Sequence, residues 1–475
     1  MKDSDSAREN GAYDLIVVGA GSAGFSASIT AAEAGLRVAL VGHGTIGGTC
    51  VNVGCVPSKA MIRAAEAVHG AAASGRFPGV DPCAPPVDWS ALVAGTAELV
   101  AGLRQKKYAD LLPQYETIDY VEDGPARLVE GGIEVGGRTL TANRFIIATG
   151  SRPHLPDISG IDAVDVLDST GLLTLPQRPD SIIVLGGGYI GAELAQMASR
   201  LGVRVTLVTR SRLLPGAEPE VAEALTGALR AEGIRVETGL SYREVAARDG
   251  GVALTIERDG EAETLTAARL VATTGRLANT QGLGLETLGI QTDRRGAIVV
   301  GPDMATTRPG IYAAGDVTDR DQFVYMAAYG AKIAVNNAFG LEPMLYNNAT
   351  MPWVVFTDPQ VAGVGLSEAQ ARAAGHEVKT SVLGLDNVAR ALAARDTRGL
   401  IKLVADARTD RLLGGQIVAP EGADSIQTLA MALKMGMTAR ALGETIFPYL
   451  TTVEGLKLAA QTFDKDVAKL SCCAG

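Results

Sequence analysis

The hydrophobic pattern near the N-terminus predicts a strand, a glycine turn, a helix and a second strand. An apolar run, YDLIVVG, leads into the turn GAGSAG, an alanine-rich stretch follows, and a second apolar run, LRVALVG, closes the segment. Continuous apolar runs of this length are typical of strands that are buried on both faces of a parallel sheet. Residues 13–41 are therefore predicted to form a βαβ unit.

The turn of this unit carries Gly19, Gly21 and Gly24 at the spacing of a dinucleotide-binding site. In such a turn the first glycine permits a tight bend, the second lets backbone approach a pyrophosphate, and the third lets helix pack on strand. The amides at the start of the helix would then bind the phosphates. A purely structural βα turn is the alternative that three glycines leave open.

The same pattern recurs in SIIVLGGGYIG and in the apolar strand VRVTLVTR that follows it. Two such units in one chain predict two dinucleotide cofactors. The glycines of the second turn are Gly186, Gly188 and Gly191.

The two units differ where their second strands end. A dinucleotide-binding unit usually has an acidic residue there that binds a ribose hydroxyl, but the first unit has Gly42 followed by His43. The second unit ends in Arg210 and Arg212, whose guanidinium groups favour the 2′-phosphate of NADPH over the unmodified ribose of NADH. Two arginines on a solvated loop are the alternative interpretation.

Three further apolar runs end in glycine turns: FIIATG, which contains Thr149 and Gly150, then LVATTGR and GIYAAGD. The first two enclose the second βαβ unit, as the crossings of an inserted domain would.

After Met351 the chain alternates strands and then has an apolar helix, which is typical of a separate α+β domain. We therefore predict an α/β protein with two Rossmann-like dinucleotide-binding domains, the second inserted in the first, and a C-terminal α+β dimerisation domain. The predicted boundaries are 1–150 with 276–350 for the first domain, 151–275 for the second and 351–475 for the third.

Length and charge limit the classes of partner. At roughly 150 residues per domain, 475 residues allow about three domains. The formal net charge of −10 argues against a nucleic-acid partner, because phosphate binding needs a basic face. No window of about 18 apolar residues predicts a membrane span, and the polar opening segment is unlike a signal peptide. A cytoplasmic protein that binds small molecules is expected.

The candidate chemistry lies in the cysteines. Cys50 and Cys55 stand in GTIGGTCVNVGCVPSK, at the predicted start of a helix, where the helix dipole favours a thiolate. A redox-active disulfide beside a flavin is favoured over two buried, apolar cysteines. Cys472 and Cys473 are adjacent, so a mutual disulfide would be strained, and they are better suited to passing on a soft metal ion than to bracing the fold. An idle C-terminal segment is the alternative for this second pair.

The segment GGTCVNVGCVPSK, the second glycine turn and the later AAGD resemble, in this order, the flavin-dependent pyridine nucleotide-disulfide oxidoreductases. The resemblance covers nearly the whole chain and implies FAD on the first unit, NADPH on the inserted domain and a homodimer. It implies an ion pair of Lys59 with Glu193 beside the flavin. Asp316 would bind FAD, and Tyr189 would cover the nicotinamide until NADPH enters. Other residues implied to line FAD, largely through backbone, are Gly44, Thr49, Ala126 and Val324.

One segment departs from the pattern of this family. Most members end in His-Pro-Thr-x-x-Glu, whose His, oriented by the Glu, transfers protons for an organic disulfide. Here Tyr449 replaces the His, and Glu454 follows five residues later. A phenol with a pKa of about 10 exchanges protons poorly at neutral pH, so reduction of an ordinary disulfide is disfavoured.

Two thiol pairs and Tyr449 together favour reduction of Hg(II), a soft ion that is usually bound by two sulfurs. By the pattern of the resembled family, the terminal pair of one subunit would collect the ion from a thiol complex and pass it to Cys50 and Cys55 of the other. NADPH would supply the electrons through FAD, and volatile Hg(0) would leave. The alternatives are a thioredoxin-reductase-like disulfide reductase and, from another class, a non-catalytic thiol protein that sequesters soft metals.

Overall fold

The computed structural model describes residues 13–469. The strands are β1 (Tyr13–Val18), β2 (Val38–Val41), β3 (Ile118–Val121), β4 (Arg127–Val129), β5 (Gly132–Val135), β6 (Arg138–Ile147), β7 (Ser151–Pro153), β8 (Val166–Leu167), β9 (Ser181–Leu185), β10 (Arg204–Val208), β11 (Arg235–Glu237), β12 (Ser241–Arg248), β13 (Gly251–Arg258), β14 (Glu261–Ala267), β15 (Arg269–Ala272), β16 (Arg276–Ala278), β17 (Ile311–Ala313), β18 (Trp353–Val355), β19 (Gln360–Gly365), β20 (Val378–Gly384), β21 (Leu400–Asp406) and β22 (Leu412–Ala419).

The helices follow the same chain order. They are α1 (Ser22–Glu33), α2 (Gly48–Asn52), α3 (Cys55–Ala72), α4 (Trp89–Arg104), α5 (Ser169–Leu173), α6 (Tyr189–Arg200), α7 (Pro219–Ala231), α8 (Val324–Phe339), α9 (Glu368–Ala373), α10 (Ala389–Ala394), α11 (Gly422–Lys434), α12 (Ala439–Glu444) and α13 (Glu454–Gln461). Both predicted βαβ units are present, as β1-α1-β2 and as β9-α6-β10.

Contacts divide the described chain into two units. The first comprises residues 13–58, 93–154 and 275–347. Its sheet has the order β3-β2-β1-β6, with β17 paired to β6, and these pairings are parallel. The residues of β2 are all buried, as the continuous apolar run predicts, and α1 packs against α8. Ser26 on α1 donates a hydrogen bond to the carbonyl oxygen of Ala328 at 2.9 Å.

The second unit comprises residues 59–92, 155–274 and 348–469. It contains a parallel sheet of order β11-β10-β9-β15-β8 and the antiparallel sheets β12-β13-β14 and β18-β19-β22-β21-β20. Helix α11 covers β19 and β22. The inserted segment and the C-terminal segment therefore belong to the same unit, and the domain boundaries given above stay predictions.

A buried lysine helps to hold the inserted segment on the C-terminal sheet. The Lys402 side chain is 2% exposed, and its Nζ lies 3.0 to 3.2 Å from carboxylate oxygens of Glu218, Glu220 and Glu368. Burial lowers the pKa of Lys402, but hydrogen bonds to the three carboxylates outweigh burial and raise it. The lysine therefore stays charged and links α7 and the residue before it to β21 and α9.

In the part of the chain that the structure describes, no helix is both long enough and apolar enough to span a membrane.

Candidate functional site

The first glycine turn forms a cradle at the start of α1. Gly19 has a φ of +117°, and a Cβ at this position would collide with the backbone of Ala148. A Cβ at Gly24 would collide with the carbonyl of Gly19, so only glycine fits at both positions. At Gly21 a Cβ would meet only the Cα of Gly48, at 3.6 Å. A Cβ at Gly21 would therefore clash with no protein atom, which leaves room for a pyrophosphate over the first amides of α1.

Side chains after β6 and β17 brace the same edge of the first sheet. Thr149 donates a hydrogen bond from Oγ1 to the carbonyl oxygen of Asn279 at 2.8 Å. Ser151 donates from Oγ to the Asp316 carboxylate at 2.8 Å, and Arg276 donates from Nε to Ser151 Oγ at 2.7 Å. The carboxylate implied to bind FAD is thus held in place by a serine and an arginine to which the sequence assigned no role.

The remaining positions implied to line FAD belong to the first unit. Gly44 lies between β2 and α2 with a φ of +87°, and Thr49 lies on α2. Ala126 is half-buried between β3 and β4, and Val324 begins α8. Gly150 follows β6. The contact of these five residues with FAD stays a prediction.

The two inner cysteines lie on consecutive helices. Cys50 is half-buried on α2, whereas Cys55 is exposed and is the first residue of α3. The sequence predicted one helix start for both cysteines, and for Cys50 this was wrong. Val53, with a φ of −140°, leaves the helical conformation and ends α2 between them. The partial positive charge at the start of α3, which stabilises a thiolate, therefore acts most directly on Cys55.

Tyr108 lies near both inner cysteines, although no sequence motif indicated it. It belongs to the π-helical turn Gln105–Ala109 that follows α4. Its ring packs edge-on against Phe25, with ring centres 4.8 Å apart. Burial raises the pKa of Tyr108 and outweighs a hydrogen bond with Ser22 that lowers it, and the nearby Cys50 and Cys55 raise it further. More than fifty residues separate Tyr108 from the cysteines, so only the folded chain could reveal this neighbour.

The second glycine turn repeats the cradle at the start of α6. Gly186 has a φ of +108°, and a Cβ at Gly191 would collide with the carbonyl of Gly186. A Cβ at Gly188 would have no atom within 4 Å. The backbone of this turn therefore also fits a dinucleotide pyrophosphate.

The two arginines after β10 have different surroundings. Both are exposed, but Arg212 donates hydrogen bonds to the carbonyl oxygens of Pro215 at 3.0 Å and Ala217 at 2.5 Å. The Arg212 guanidinium therefore supports its own loop. Arg210 lies close enough to Tyr242 for its charge to oppose the effect of burial, which raises the pKa of that phenol to about 12. The 2′-phosphate prediction rests more on Arg210 than on Arg212.

Lys59 and Glu193 form the ion pair that the resemblance implied. Lys59 Nζ lies 2.7 Å from Glu193 Oε2, and the backbone amide of Phe356 donates to Glu193 Oε1 at 2.9 Å. Lys59 Nζ also lies 4.9 Å from the centre of the Phe356 ring. Glu193 is only 5% exposed, and each oxygen of its carboxylate accepts a hydrogen bond. A buried charge needs such partners, because it has lost its contact with water.

Tyr189, the first residue of α6, stacks on Trp353 of β18. Their ring centres are 5.5 Å apart and the ring planes are inclined by 21°. The Trp353 ring fills the space where Gly363 would otherwise carry a Cβ. Burial raises the pKa of Tyr189 to about 12, so the phenol is neutral at physiological pH. Trp353 was missed from the sequence because a lone aromatic residue in a strand is typical of any core.

Tyr449 is exposed on the turn that leads into α13. Its side chain is among the large apolar or aromatic groups on the surface, at 56% exposure. Leu450 follows with a φ of +62°, and its amide donates to Glu454 Oε2 at 3.1 Å. Glu454 therefore supports the turn that presents Tyr449. Cys472 and Cys473 lie outside the described residues.

Within residues 13–469, no group of three or more His, Cys, Asp or Glu side chains is arranged to hold a metal ion. A metal ion bound as substrate by two thiolates needs no such group.

Comparison with known proteins places this geometry in a family. Residues 13–350 match the pyridine nucleotide-disulphide oxidoreductase family, and residues 351–460 match the dimerisation domain of the same family. The chain is 46% identical to a mercuric reductase of Streptomyces lividans over 98% of both chains. It is 44% identical to a mercuric reductase of Staphylococcus aureus, over 98% of this chain and 85% of the relative.

A solved structure has the same fold. The HOCl-induced flavoprotein disulfide reductase RclA from Escherichia coli superposes with a TM-score of 0.84 at 29% identity, over 94% of this chain and 99% of that chain. These matches confirm the predicted fold class and the predicted cofactors, FAD and NADPH. The chain belongs to the pyridine nucleotide-disulphide oxidoreductases and is an FAD-dependent oxidoreductase with the dimerisation domain of that family.

Proposed function

We propose that this protein reduces Hg(II) to Hg(0) with electrons from NADPH. One observation carries the proposal beyond the family. At the position where disulfide-reducing members have a proton-transferring histidine, this chain presents the exposed phenol of Tyr449 on a turn that Glu454 supports. The identity of 44 to 46% to proteins named mercuric reductase, over 98% of the chain, supports the same activity.

We assign FAD to the first glycine turn and NADPH to the second. The Gly19 turn and Asp316 would hold FAD, and the Gly186 turn and Arg210 would hold NADPH. The chemistry that these cofactors supply when bound is the transfer of two electrons as hydride. A Cβ at Gly21 or at Gly188 would clash with no protein atom, and this room beside the two turns supports the assignment.

Cys50 and Cys55 would bind the substrate ion. Hg(II) arrives bound to two small thiols, and each Cys thiolate forms a new S–Hg bond as one bond to a small thiolate breaks. Two thiolates are therefore released for the two that bind. Cys55 is exposed at the start of α3 and is suited to the first exchange, and the half-buried Cys50 to the second. Overall, NADPH and Hg(II) give NADP⁺, a proton and Hg(0).

Neither Tyr108, which lies near the inner cysteines, nor Tyr189 would exchange protons at neutral pH. Burial raises the pKa of Tyr189 to about 12 and also raises the pKa of Tyr108. Both hydroxyls therefore stay protonated, and that of Tyr108 can donate a hydrogen bond to a nearby thiolate without losing its proton. Reduction of Hg(II) needs no proton on the product, whereas reduction of a disulfide needs two. A site without a proton-transferring histidine is therefore matched to the metal ion.

We further propose that the enzyme acts in the cytoplasm as a homodimer with shared active sites. Cys472 and Cys473 of one subunit would collect the ion and pass it to the inner pair of the other, and Tyr449 would line this route. The dimerisation domain of the family supports the dimer.

Comparison of acceptors tests the function. The purified holoenzyme is given NADPH and, in separate assays, Hg(II) with excess small thiol, Cu(II), oxidised lipoamide, glutathione disulfide or oxidised thioredoxin. We expect Hg(II) to give the highest kcat/KM, by about a hundredfold or more over each disulfide. Faster oxidation of NADPH with any disulfide would overturn the proposal and favour a disulfide reductase.

A further inference from the structure

The first unit lacks the acidic residue that normally follows its second strand, and the place of that side chain is filled from the neighbouring strand. Gly42 follows β2, and its amide donates to the carbonyl oxygen of Val121 at 2.9 Å, so β2 and β3 end side by side. A Cβ at Gly42 would lie 2.9 Å from Cζ of Tyr120 and still closer to its hydroxyl. The Tyr120 phenol thus occupies the space into which an acidic side chain at position 42 would extend.

The Tyr120 hydroxyl is shielded from water, and no hydrogen bond of good geometry satisfies it within the described residues, although the Glu122 carboxylate lies near it. Buried hydroxyls are nearly always paired, because an unmet hydrogen bond has a free-energy cost. Burial raises the pKa of Tyr120, and the nearby carboxylate of Glu122 raises it further. The hydroxyl therefore stays protonated and can both donate and accept.

The position of this hydroxyl points to one kind of ligand group. Tyr120 pairs with Leu40 in the parallel register of β2 and β3, one residue before both strands end. Ligands of such sheets bind at the carboxyl ends of the strands, and the adenosine ribose lies beyond the end of the second strand. Glu122 and His43, which follow the two strand ends, are exposed, so a ligand can rearrange them.

We propose that Tyr120, together with Glu122, replaces the missing acidic residue of β2 and binds the hydroxyls of the adenosine ribose of FAD. The inference rests on the assignment of FAD to the first unit. The equivalent of Tyr120 in the second unit is Val236, because it pairs with Leu207 just as Tyr120 pairs with Leu40. The second unit therefore has no tyrosine at this position, and the proposed ribose contact belongs to the first unit alone.

The test measures FAD affinity rather than turnover. FAD is removed from the holoenzyme, and apoprotein is titrated with FAD and with an analogue that lacks the adenosine 2′-hydroxyl, with flavin fluorescence as the readout. For Tyr120→Phe, which keeps the ring, we expect the Kd of FAD to rise about three- to tenfold, the effect of one lost hydrogen bond. The preference of the wild type for FAD over the analogue should shrink or vanish. Glu122→Gln should raise the Kd less than Tyr120→Phe does.

Tyr13→Phe is the matched control, because Tyr13 begins β1 and so lies at the amino end of a strand of the same sheet, whereas Tyr120 lies near the carboxyl end of its strand. It should leave the Kd of FAD unchanged. Equal FAD affinity for Tyr120→Phe and the wild type would overturn the inference. The variant Gly21→Ala shows whether such a result refutes only the role of Tyr120 or also the assignment of FAD to the first turn. If Gly21→Ala loses FAD while Tyr120→Phe keeps its affinity, only the role of Tyr120 is wrong; if Gly21→Ala binds FAD normally, the assignment of FAD to this turn is wrong.

Discussion

The two glycine turns have the same backbone arrangement and different side chains. In each, the first glycine donates its amide to the last residue of the second strand: Gly19 to Val41 at 2.8 Å and Gly186 to Val208 at 2.9 Å. The surroundings diverge where the strands end, with Gly42 in the first unit and Thr209 followed by Arg210 in the second. The shared backbone explains why both turns suit a dinucleotide. The side chains determine which dinucleotide each one selects.

The helices that follow the turns differ in the same way. Five residues after Gly21, α1 has Ser26, which donates to a carbonyl of α8. Five residues after Gly188, α6 has Glu193, which pairs with Lys59. The first helix is held by neutral contacts, whereas the second places a buried charge where the resemblance implies reaction chemistry.

The largest expected effect comes from replacing the middle glycine of each turn by alanine, which adds one methyl group. Neither Gly21→Ala nor Gly188→Ala meets an atom closer than 3.6 Å, so both variants should fold. We expect Gly21→Ala to lose FAD and about a hundredfold of activity. Gly188→Ala should remain yellow, with the KM for NADPH raised about tenfold or more. Flavin absorbance and steady-state kinetics measure both effects, and loss of flavin from Gly188→Ala alone would reverse the assignment of the two turns.

The next largest effect concerns the stability that one side chain on each of the helices α6 and α1 contributes. Glu193→Gln removes one partner of a pair that is buried on the carboxylate side and 33% exposed on the lysine side. After allowance for that exposure, we expect a loss of about 1–3 kcal/mol in the free energy of unfolding. Ser26→Ala should cost about 0.5–1.5 kcal/mol, because it removes one neutral hydrogen bond. Chemical unfolding of the two holoenzyme variants measures both, and an equal or larger loss for Ser26→Ala would contradict the contrast.

A smaller effect separates the two arginines after β10. Arg210→Ser should shift the ratio of kcat/KM for NADPH over NADH toward NADH by about tenfold, because it removes the charge assigned to the 2′-phosphate. Arg212→Ser should change this ratio by less than about threefold and mainly loosen its loop, whose carbonyls Arg212 binds. A larger change in the ratio for Arg212→Ser than for Arg210→Ser would show that the structure-based distinction is wrong.

The smallest effect concerns the ring stack that only the second unit has. Trp353→Ala should change the KM for NADPH by about three- to tenfold, because Tyr189 loses an aromatic neighbour. Since burial raises the pKa of Tyr189 to about 12, the KM of the wild type should show no Tyr189 titration below about pH 10, and ionisation should weaken the stack only above that range. Tyr115→Phe, in the first unit, serves as the control. Unchanged kinetics in Trp353→Ala would exclude a role for the stack.

Local sequence patterns were sufficient for the fold and for the backbone of both cradles. Glycine spacing and apolar runs depend on neighbouring residues, so β1-α1-β2 and β9-α6-β10 could be predicted. Tyr108, Tyr120 and Trp353 could not be predicted, because each gains its meaning from a residue far away in the chain. The single helix predicted for Cys50 and Cys55 failed for a local reason, since the backbone of Val53 ends α2 without proline or other clear signal.

The central claim is that Hg(II) takes the electrons of NADPH. Anaerobic holoenzyme is supplied with a limiting, known amount of NADPH and excess Hg(II) bound to a small thiol, and Hg(0) is trapped from the headspace. The account predicts one Hg(0) for each NADPH oxidised, and none from Cys55→Ser at the same flavin content. Complete oxidation of NADPH without Hg(0), or Hg(0) release that persists in Cys55→Ser, would contradict it.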